Sequence, residues 1–492
     1  MRYFGLLFLL IATTPAFAQS DCTAIETKRV CGSVTDTHEG VCSRFNGIKN
    51  GTTESCGNAG KKGEYGYQWQ CVEYVRRFYK LAKNHPTEQW DGKGNANQFF
   101  TKAAELGLVA FKNGETTSPP RRDDILGFEN ANHRGVGHVA IIKEILPVSL
   151  GNYRVRLIEQ NFSQNIDVEL PVERRSDGTY FMPDRGRYRV QGWMRLPDAN
   201  WILASPSAHP SARTSHAMVF DDARQQVVLF GGSASGALQN DTWLWDGSAW
   251  HQAFPSSNPS PRALFGMAYD AVNQQVVLFG GFSSGGTFLR DTWMWDGSNW
   301  TQKFPANRPA LAHEMSFDSE RRQIMLLEAS SASRTWVWDG NNWTLRTPTS
   351  SPPTQGNAAI TYDAARQKVV EFSGFFGIGN ASGDTWTWDG ADWTHLFPHF
   401  QPPLWRGGHE LVFFAARNQV VLFGGATQAP FPSNLLGDTW IWDGSNWWQT
   451  HPSTSPSPRQ AFAMAYDSTR KQIVLFGGSD AGGARDDTWI LP

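Results

Sequence analysis

Three side chains in the first part of the chain have the types and order that nucleophilic chemistry needs: a thiol at Cys71, an imidazole at His138 and a carboxylate at Glu159. Cys71 stands in Tyr67-Gln68-Trp69-Gln70-Cys71-Val72-Glu73-Tyr74-Val75-Arg76-Arg77-Phe78. From Gln70 to Lys83 the apolar residues Val72, Val75, Phe78, Tyr79 and Ala82 recur at helical spacing, which predicts a helix with the thiol in its first turn. Unpaired N–H groups and the helix dipole there favour the thiolate, so the sulfur becomes a better nucleophile at neutral pH. A buried apolar cysteine, or one half of a disulfide, is the plainer reading of the same residue.

A thiol nucleophile needs a base, and a base needs something to orient it. Between the N-terminal leader and the repeats described below stand His38, His85, His133 and His138. His138 opens the β-rich run Gly135-Val136-Gly137-His138-Val139-Ala140-Ile141-Ile142, where two glycines let a substrate backbone come close to the ring. In Val155-Arg156-Leu157-Ile158-Glu159-Gln160-Asn161-Phe162 a period of two puts Val155, Leu157, Glu159 and Asn161 on one face. A carboxylate and an amide at the end of an apolar face need polar partners. A histidine on the neighbouring strand is one such partner, and either group would hold its imidazole in a single tautomer. A structural histidine, a surface Glu159 and a turn-forming Asn161 are the alternatives.

The elements that must position these groups are a second helix over Asn97–Leu106 and strands at Asp124–Phe128, His138–Ile145 and Tyr153–Phe162, closed by Trp193–Leu196. Helices first and strands later predict an α+β domain. The blocks Q-C-V-E-Y-V-R-R-F, G-H-V-A-I-I and E-Q-N, in that order, resemble the CHAP amidohydrolase/peptidase family, and most of all its glutathionylspermidine amidase branch; Gly192-Trp193-Met194 fits too. The resemblance covers roughly residues 60–196 and implies a papain-like fold. It implies Cys71 as nucleophile, His138 as base and Glu159 as orienting carboxylate, with Asn161 at a further polar position of the family. The Cys71 N–H, with the side chain of Gln68 or Gln70, would then stabilise the oxyanion. No cofactor or metal is implied: Asp91-Gly92-Lys93-Gly94-Asn95 looks faintly like a calcium loop, but its twelfth position is Lys102 instead of Glu.

Residues 1–18 read as a secretory signal, with Arg2, an apolar core from Phe4 to Thr13 and the cleavage site Ala16-Phe17-Ala18. That core is too short to span a bilayer, and no later segment offers a span. The expected location is secreted or periplasmic, a disulfide-permissive setting. All five cysteines precede residue 72, so Cys22, Cys31, Cys42 and Cys56 are expected to pair within a lead-in over residues 19–60, by one of three connectivities, leaving Cys71 over. A zinc site is the rival, but no C-x-x-C is present. A net charge of −2 without a basic stripe argues against nucleic acid as a partner.

After the amidase-like domain at 61–197, the Ser/Pro-rich stretch Ser205–Ser211 lies where a repeat of about fifty residues takes over. One unit runs from Phe220 through Val227-Val228-Leu229-Phe230-Gly231-Gly232 to Asp241-Thr242-Trp243-Leu244-Trp245-Asp246-Gly247-Ser248-Ala249-Trp250. D-T-W returns at Asp291, Asp384, Asp438 and Asp487, and as Arg334-Thr335-Trp336; F-G-G returns at Phe279, Phe423 and Phe476. Six such units of about four strands resemble a Kelch-type β-propeller over residues 198–492. The sixth stops at Trp489-Ile490-Leu491-Pro492 without its W-D-G-x-x-W end, and Asp198-Ala199-Asn200-Trp201 supplies the missing piece, which would close the ring. Repeated residues such as Trp243 and Trp293 read as packing between blades, and ligand contacts are expected from unlike loops such as Thr427–Leu436 and Phe375–Gly383.

These readings predict a secreted cysteine hydrolase that cuts amide bonds in a cell-wall peptide or a small amide, with the propeller holding a protein or glycan ligand. Glutathionylspermidine-type amidase activity is one alternative; the other is a non-catalytic interaction protein working through the propeller.

Overall fold

The structure, a computed structural model, describes residues 33–38, 41–45, 62–63, 66–67, 71–81, 96–132, 137–149, 152–159 and 168–492, less 312–313, 330–332, 354–357, 377–379, 403–405 and 428–433. The chain forms two units, Met1–Pro197 and Asp198–Pro492.

In the first unit, helix α1 (Cys71–Leu81) precedes a short α2 (Ala96–Phe99) and seven strands: β1 (Val109–Lys112), β2 (Ile125–Asn130), β3 (Gly137–Ser149), β4 (Asn152–Ile158), β5 (Val168–Arg174), β6 (Tyr180–Phe181) and β7 (Tyr188–Arg195). They make one sheet in the order β6-β5-β4-β3-β2-β7-β1, every pair antiparallel. Val75, Phe78 and Tyr79 form a buried stripe on α1 at helical spacing and join Val139 and Ile141 of β3 and Ile158 of β4 in one core. The helix that begins at Cys71 is thereby fastened to the two strands that lead into His138 and Glu159.

The balance differs from the α+β expectation. Among the described residues strands dominate this unit, and helix is confined to α1, α2 and a 3₁₀ turn at Ala103–Leu106. The single helix expected over Asn97–Leu106 breaks in the middle. The Thr101 hydroxyl donates to the Gln98 carbonyl, a local bond that competes with helix, and the second piece ends on Gly107 in the left-handed region at φ 73°.

The second unit is a six-bladed β-propeller. Five blades are antiparallel meanders of four strands, the first built from Ala217–Asp221, Gln226–Phe230, Thr242–Trp245 and Trp250–Ala253, and the second carries a short fifth strand at Arg262–Ala263. The sixth takes its three inner strands from Ala463 to Leu491 and its outer strand from Ile202–Ala204, which pairs with Thr488–Leu491 and closes the ring. One bond repeats at all six junctions: the outer-strand tryptophan donates Nε1–H to the D-T-W threonine of the preceding blade. Trp250 bonds Thr488 at 2.9 Å and Trp300 bonds Thr242 at 3.0 Å, with Trp343, Trp393 and Trp447 following suit. Trp201 bonds Thr439 at 3.2 Å and so completes the set from the far end of the unit.

Trp243 and Trp293 pack against the inter-blade cores, as expected, and in addition donate within their own blade to Asp241 and Asp291. Those aspartates belong to a clasp that the sequence reading missed. Arg213, Arg262, Arg406 and Arg459, all buried, each form a two-nitrogen fork on the D-T-W aspartate and also bond the first carbonyl of the Gly-Gly pair.

Blades three and four lack the clasp arginine, having Ala310 and Gln355 at its position. Both carry a buried glutamate instead. Glu328 accepts from Trp336 Nε1 at 2.7 Å, but Glu371, 1% exposed, has neither oxygen hydrogen-bonded. Burial, and after it the charge of Asp384, raises the Glu371 pKa well above the usual carboxylate range. Glu371 stands where Leu229, Leu278, Leu422 and Leu475 stand in other blades. Glu371→Leu is expected to stabilise the propeller by about 1–3 kcal/mol, read by calorimetry. The sign with pH follows from the raised value: the unfolded acid loses its proton first, so this site weakens the fold increasingly as pH rises from the unfolded towards the folded pKa. The gain on substitution must therefore be larger in mild alkali than in acid.

Candidate functional site

His138 enters the site one residue into β3, and Glu159 follows directly on β4. Ile141 pairs with Ile158 across these strands, so the continued register brings position 159 opposite Ala140, on the same face as His138 and one diagonal away. The side chains meet: His138 Nε2 lies 2.9 Å from Glu159 Oε2, with the two side chains only 4% and 5% exposed. Phe128, paired with His138 from β2, places its ring 5.8 Å away on one side.

A third group completes the pair. Arg185, on the turn that leads into β7, points Nη1 at both carboxylate oxygens of Glu159, at 2.9 Å each, and its side chain is 18% exposed. Burial pushes the Glu159 pKa up, but the hydrogen bond and charge of His138, then the charge and hydrogen bond of Arg185, outweigh it and hold Glu159 below its ordinary value. The carboxylate therefore stays ionised where it touches the imidazole. An anion on Nε2 keeps a proton on that nitrogen and leaves Nδ1 as the basic one, the tautomer that a general base facing a thiol requires.

Cys71 is the first residue of α1. Its side chain, and Gln68, Gln70 and Asn161, lie outside the described residues, as do the side chains of Cys22, Cys31, Cys42 and Cys56 and the proposed signal segment. The structure thus brings together His138 and Glu159 among the sequence candidates and adds Arg185. No pattern around Asp184-Arg185-Gly186-Arg187 singles it out, because it acts from a turn. Among the described residues no three His, Cys, Asp or Glu side chains gather as a metal site, and no helix is long and apolar enough to cross a membrane.

A buried imidazole is thus held by an ionised carboxylate, on strands packed against a helix that starts with cysteine. Residues 61–161 match the CHAP domain. That segment contains Cys71, His138, Glu159 and Asn161. CHAP domains are amidohydrolases and peptidases in general, so the match supports hydrolase activity in general. No curated protein matches the chain. Among solved structures, one described as "Structure of YjhT" aligns at 14% identity with a TM-score of 0.45, covering 57% of this chain and 95% of that one.

Proposed function

We propose that the CHAP domain hydrolyses amide bonds with Cys71 as nucleophile, His138 as general base and acid, and Glu159 as the orienting carboxylate. The buried 2.9 Å contact between His138 and Glu159, inside the segment that matches the family, carries the reading. His138 Nδ1 takes the thiol proton, and the sulfur attacks the carbonyl carbon. The C–N bond breaks as the imidazolium returns that proton to the leaving amine. Water, deprotonated by the same nitrogen, then cleaves the thioester and frees the acid. The Cys71 N–H at the start of α1 stabilises the oxyanion in this reading, with Gln68 or Gln70 as the second donor.

The leader at residues 1–18 supports export, and export favours a peptide cross-bridge or stem amide of the bacterial wall over glutathionylspermidine, a cytosolic metabolite. The four early cysteines pair in that compartment. The propeller, of Kelch type on its double glycines and spaced tryptophans, serves as the binding or targeting module.

The test is to incubate the purified full-length protein with wall sacculi and, separately, with glutathionylspermidine, and to follow released amines by mass spectrometry. New amino termini from sacculi, together with selective iodoacetamide labelling of Cys71 in the native protein, are the expected result. Turnover of glutathionylspermidine alone moves the substrate to the amidase branch. A Cys71 found in a disulfide, with no amine released from either substrate, ends the reading.

A further inference from the structure

The six inner strands of the propeller share one register, which makes their positions strictly comparable. Ala217, Gly266, Glu314, Ala359, Glu410 and Ala463 each stand opposite the residue before the Gly-Gly pair or its substitute. Four of the six are Ala or Gly; blades three and five carry carboxylates. Packing does not ask for them, since the other blades do without.

Both glutamates line a cavity of about 750 Å³ along the inner strands, whose walls mix polar and apolar residues, with Met218, Met267, Met315 and Met464 among the apolar ones. Leu264 and Phe288, both largely exposed, also line it, so it opens to solvent. No lysine or arginine is among its lining residues. Neither Glu314 nor Glu410 accepts a hydrogen bond there, and desolvation raises both acids, Glu314 to about 8 and Glu410 well above its ordinary value, the charge of Glu314 adding to the rise.

A second observation points the same way. His409, 3% exposed, lines the same cavity beside Glu410. Its Nε2–H donates to the Phe372 carbonyl at 3.1 Å, while Nδ1 is buried without a partner. Burial, and then the charge of Arg406, lower its pKa to about 3, so the ring is neutral and Nδ1 is a bare acceptor. The two carboxyls thus share an open cavity without a cationic partner among its described lining residues, and both are held in the protonated form. Ionising them there is costly, and a donor that carries positive charge relieves that cost by stabilising the carboxylates as they release their protons. A metal ion is disfavoured because no three ligating groups converge among the described residues.

We propose that the propeller cavity binds an organic ammonium ion on an apolar body, with Glu314 and Glu410 receiving the N–H groups and the methionine-rich wall covering the carbon skeleton. This site is separate from the thiol chemistry and stands or falls without it. Recognition is by charge at one end and by apolar area at the other, which fits a primary alkylammonium and excludes anions.

The test uses the full-length protein and three ligands with one six-carbon body: hexylammonium, hexan-1-ol and hexanoate, titrated by calorimetry. Hexylammonium is expected to bind about tenfold or more tightly than the alcohol, with hexanoate showing no binding. In the Glu314→Gln, Glu410→Gln double variant the amine should lose that advantage while the alcohol is held as before. Equal affinity for amine and alcohol in the natural protein overturns the proposal, as does an amine preference that survives the double substitution, or no heat from the amine at all. The ligand series decides the matter even if the variant fails to fold.

Discussion

Cys71→Ala is expected to abolish amide hydrolysis and to leave unfolding unchanged. The first half follows from the chemistry: without the sulfur no thioester forms, and removal of a nucleophile that works as a unit with its base costs about 10⁴-fold or more in kcat. The second half follows from packing. Val75, Phe78 and Tyr79 hold α1 to the core and are untouched by the change, and alanine is the best helix former available at its first residue. Cys71→Ser is the sharper control, because it keeps a nucleophile of similar size but one whose pKa a helix start cannot bring near neutrality. It should be nearly as inactive as the alanine variant. The measurement is the initial rate of amine release from sacculi, beside a thermal unfolding curve for each variant. A rate within tenfold of the natural protein in either variant would remove Cys71 from the mechanism.

The propeller was legible because a ring of packed blades forces the same residues into the same places six times over. Even the closure could be read, since a blade that lacks its outer tryptophan must borrow one, and Trp201 makes the bond that Trp250 and Trp300 make elsewhere. The arginine clasp was equally repetitive but escaped notice. Its signal was available: the arginines of Ser211-Ala212-Arg213, Ser260-Pro261-Arg262 and Ser457-Pro458-Arg459 each stand 18 residues ahead of the first glycine of the Gly-Gly pair. The carboxylates of the cavity are a different case. Glu314 and Glu410 matter because they break the repeat, and a break is recognisable only after strand register fixes which positions correspond.

In the first unit the strands could be placed by apolar alternation, but the length of helix could not. The apolar pattern over Asn97–Leu106 is compatible with one helix; the Thr101 hydroxyl bond and the left-handed Gly107 divide it, and neither is a matter of periodicity. The pairing of His138 with Glu159 could be anticipated in part: a period of two puts Glu159 at the end of an apolar face in want of a partner, while the register that sets it diagonal to His138 belongs to the structure. Arg185 could not, since a turn residue carries no period.

That missed arginine yields the second large effect. Glu159→Gln keeps the size of the side chain and removes its charge. Arg185, mostly buried, then faces a neutral amide, and His138 loses the anion that fixes its tautomer and steadies the imidazolium. A fall in kcat of about 10²–10⁴-fold is expected, with KM nearly unchanged, because the carboxylate acts on the base and not on the substrate. Arg185→Ala should behave differently. Glu159 keeps its bond to His138 but loses one of the two influences that hold its pKa down against burial, so the value rises. The carboxylate is then protonated at a higher pH, and the acid limb of the pH–rate profile moves up while the plateau falls much less than in Glu159→Gln. Stability follows the same sign. A depressed carboxylate stabilises the fold above its unfolded pKa and loses that contribution as pH falls through the folded value, so the arginine variant should begin to unfold in milder acid. A purely structural arginine would lower thermal stability and leave the acid limb in place. The pH–rate profile separates the two roles.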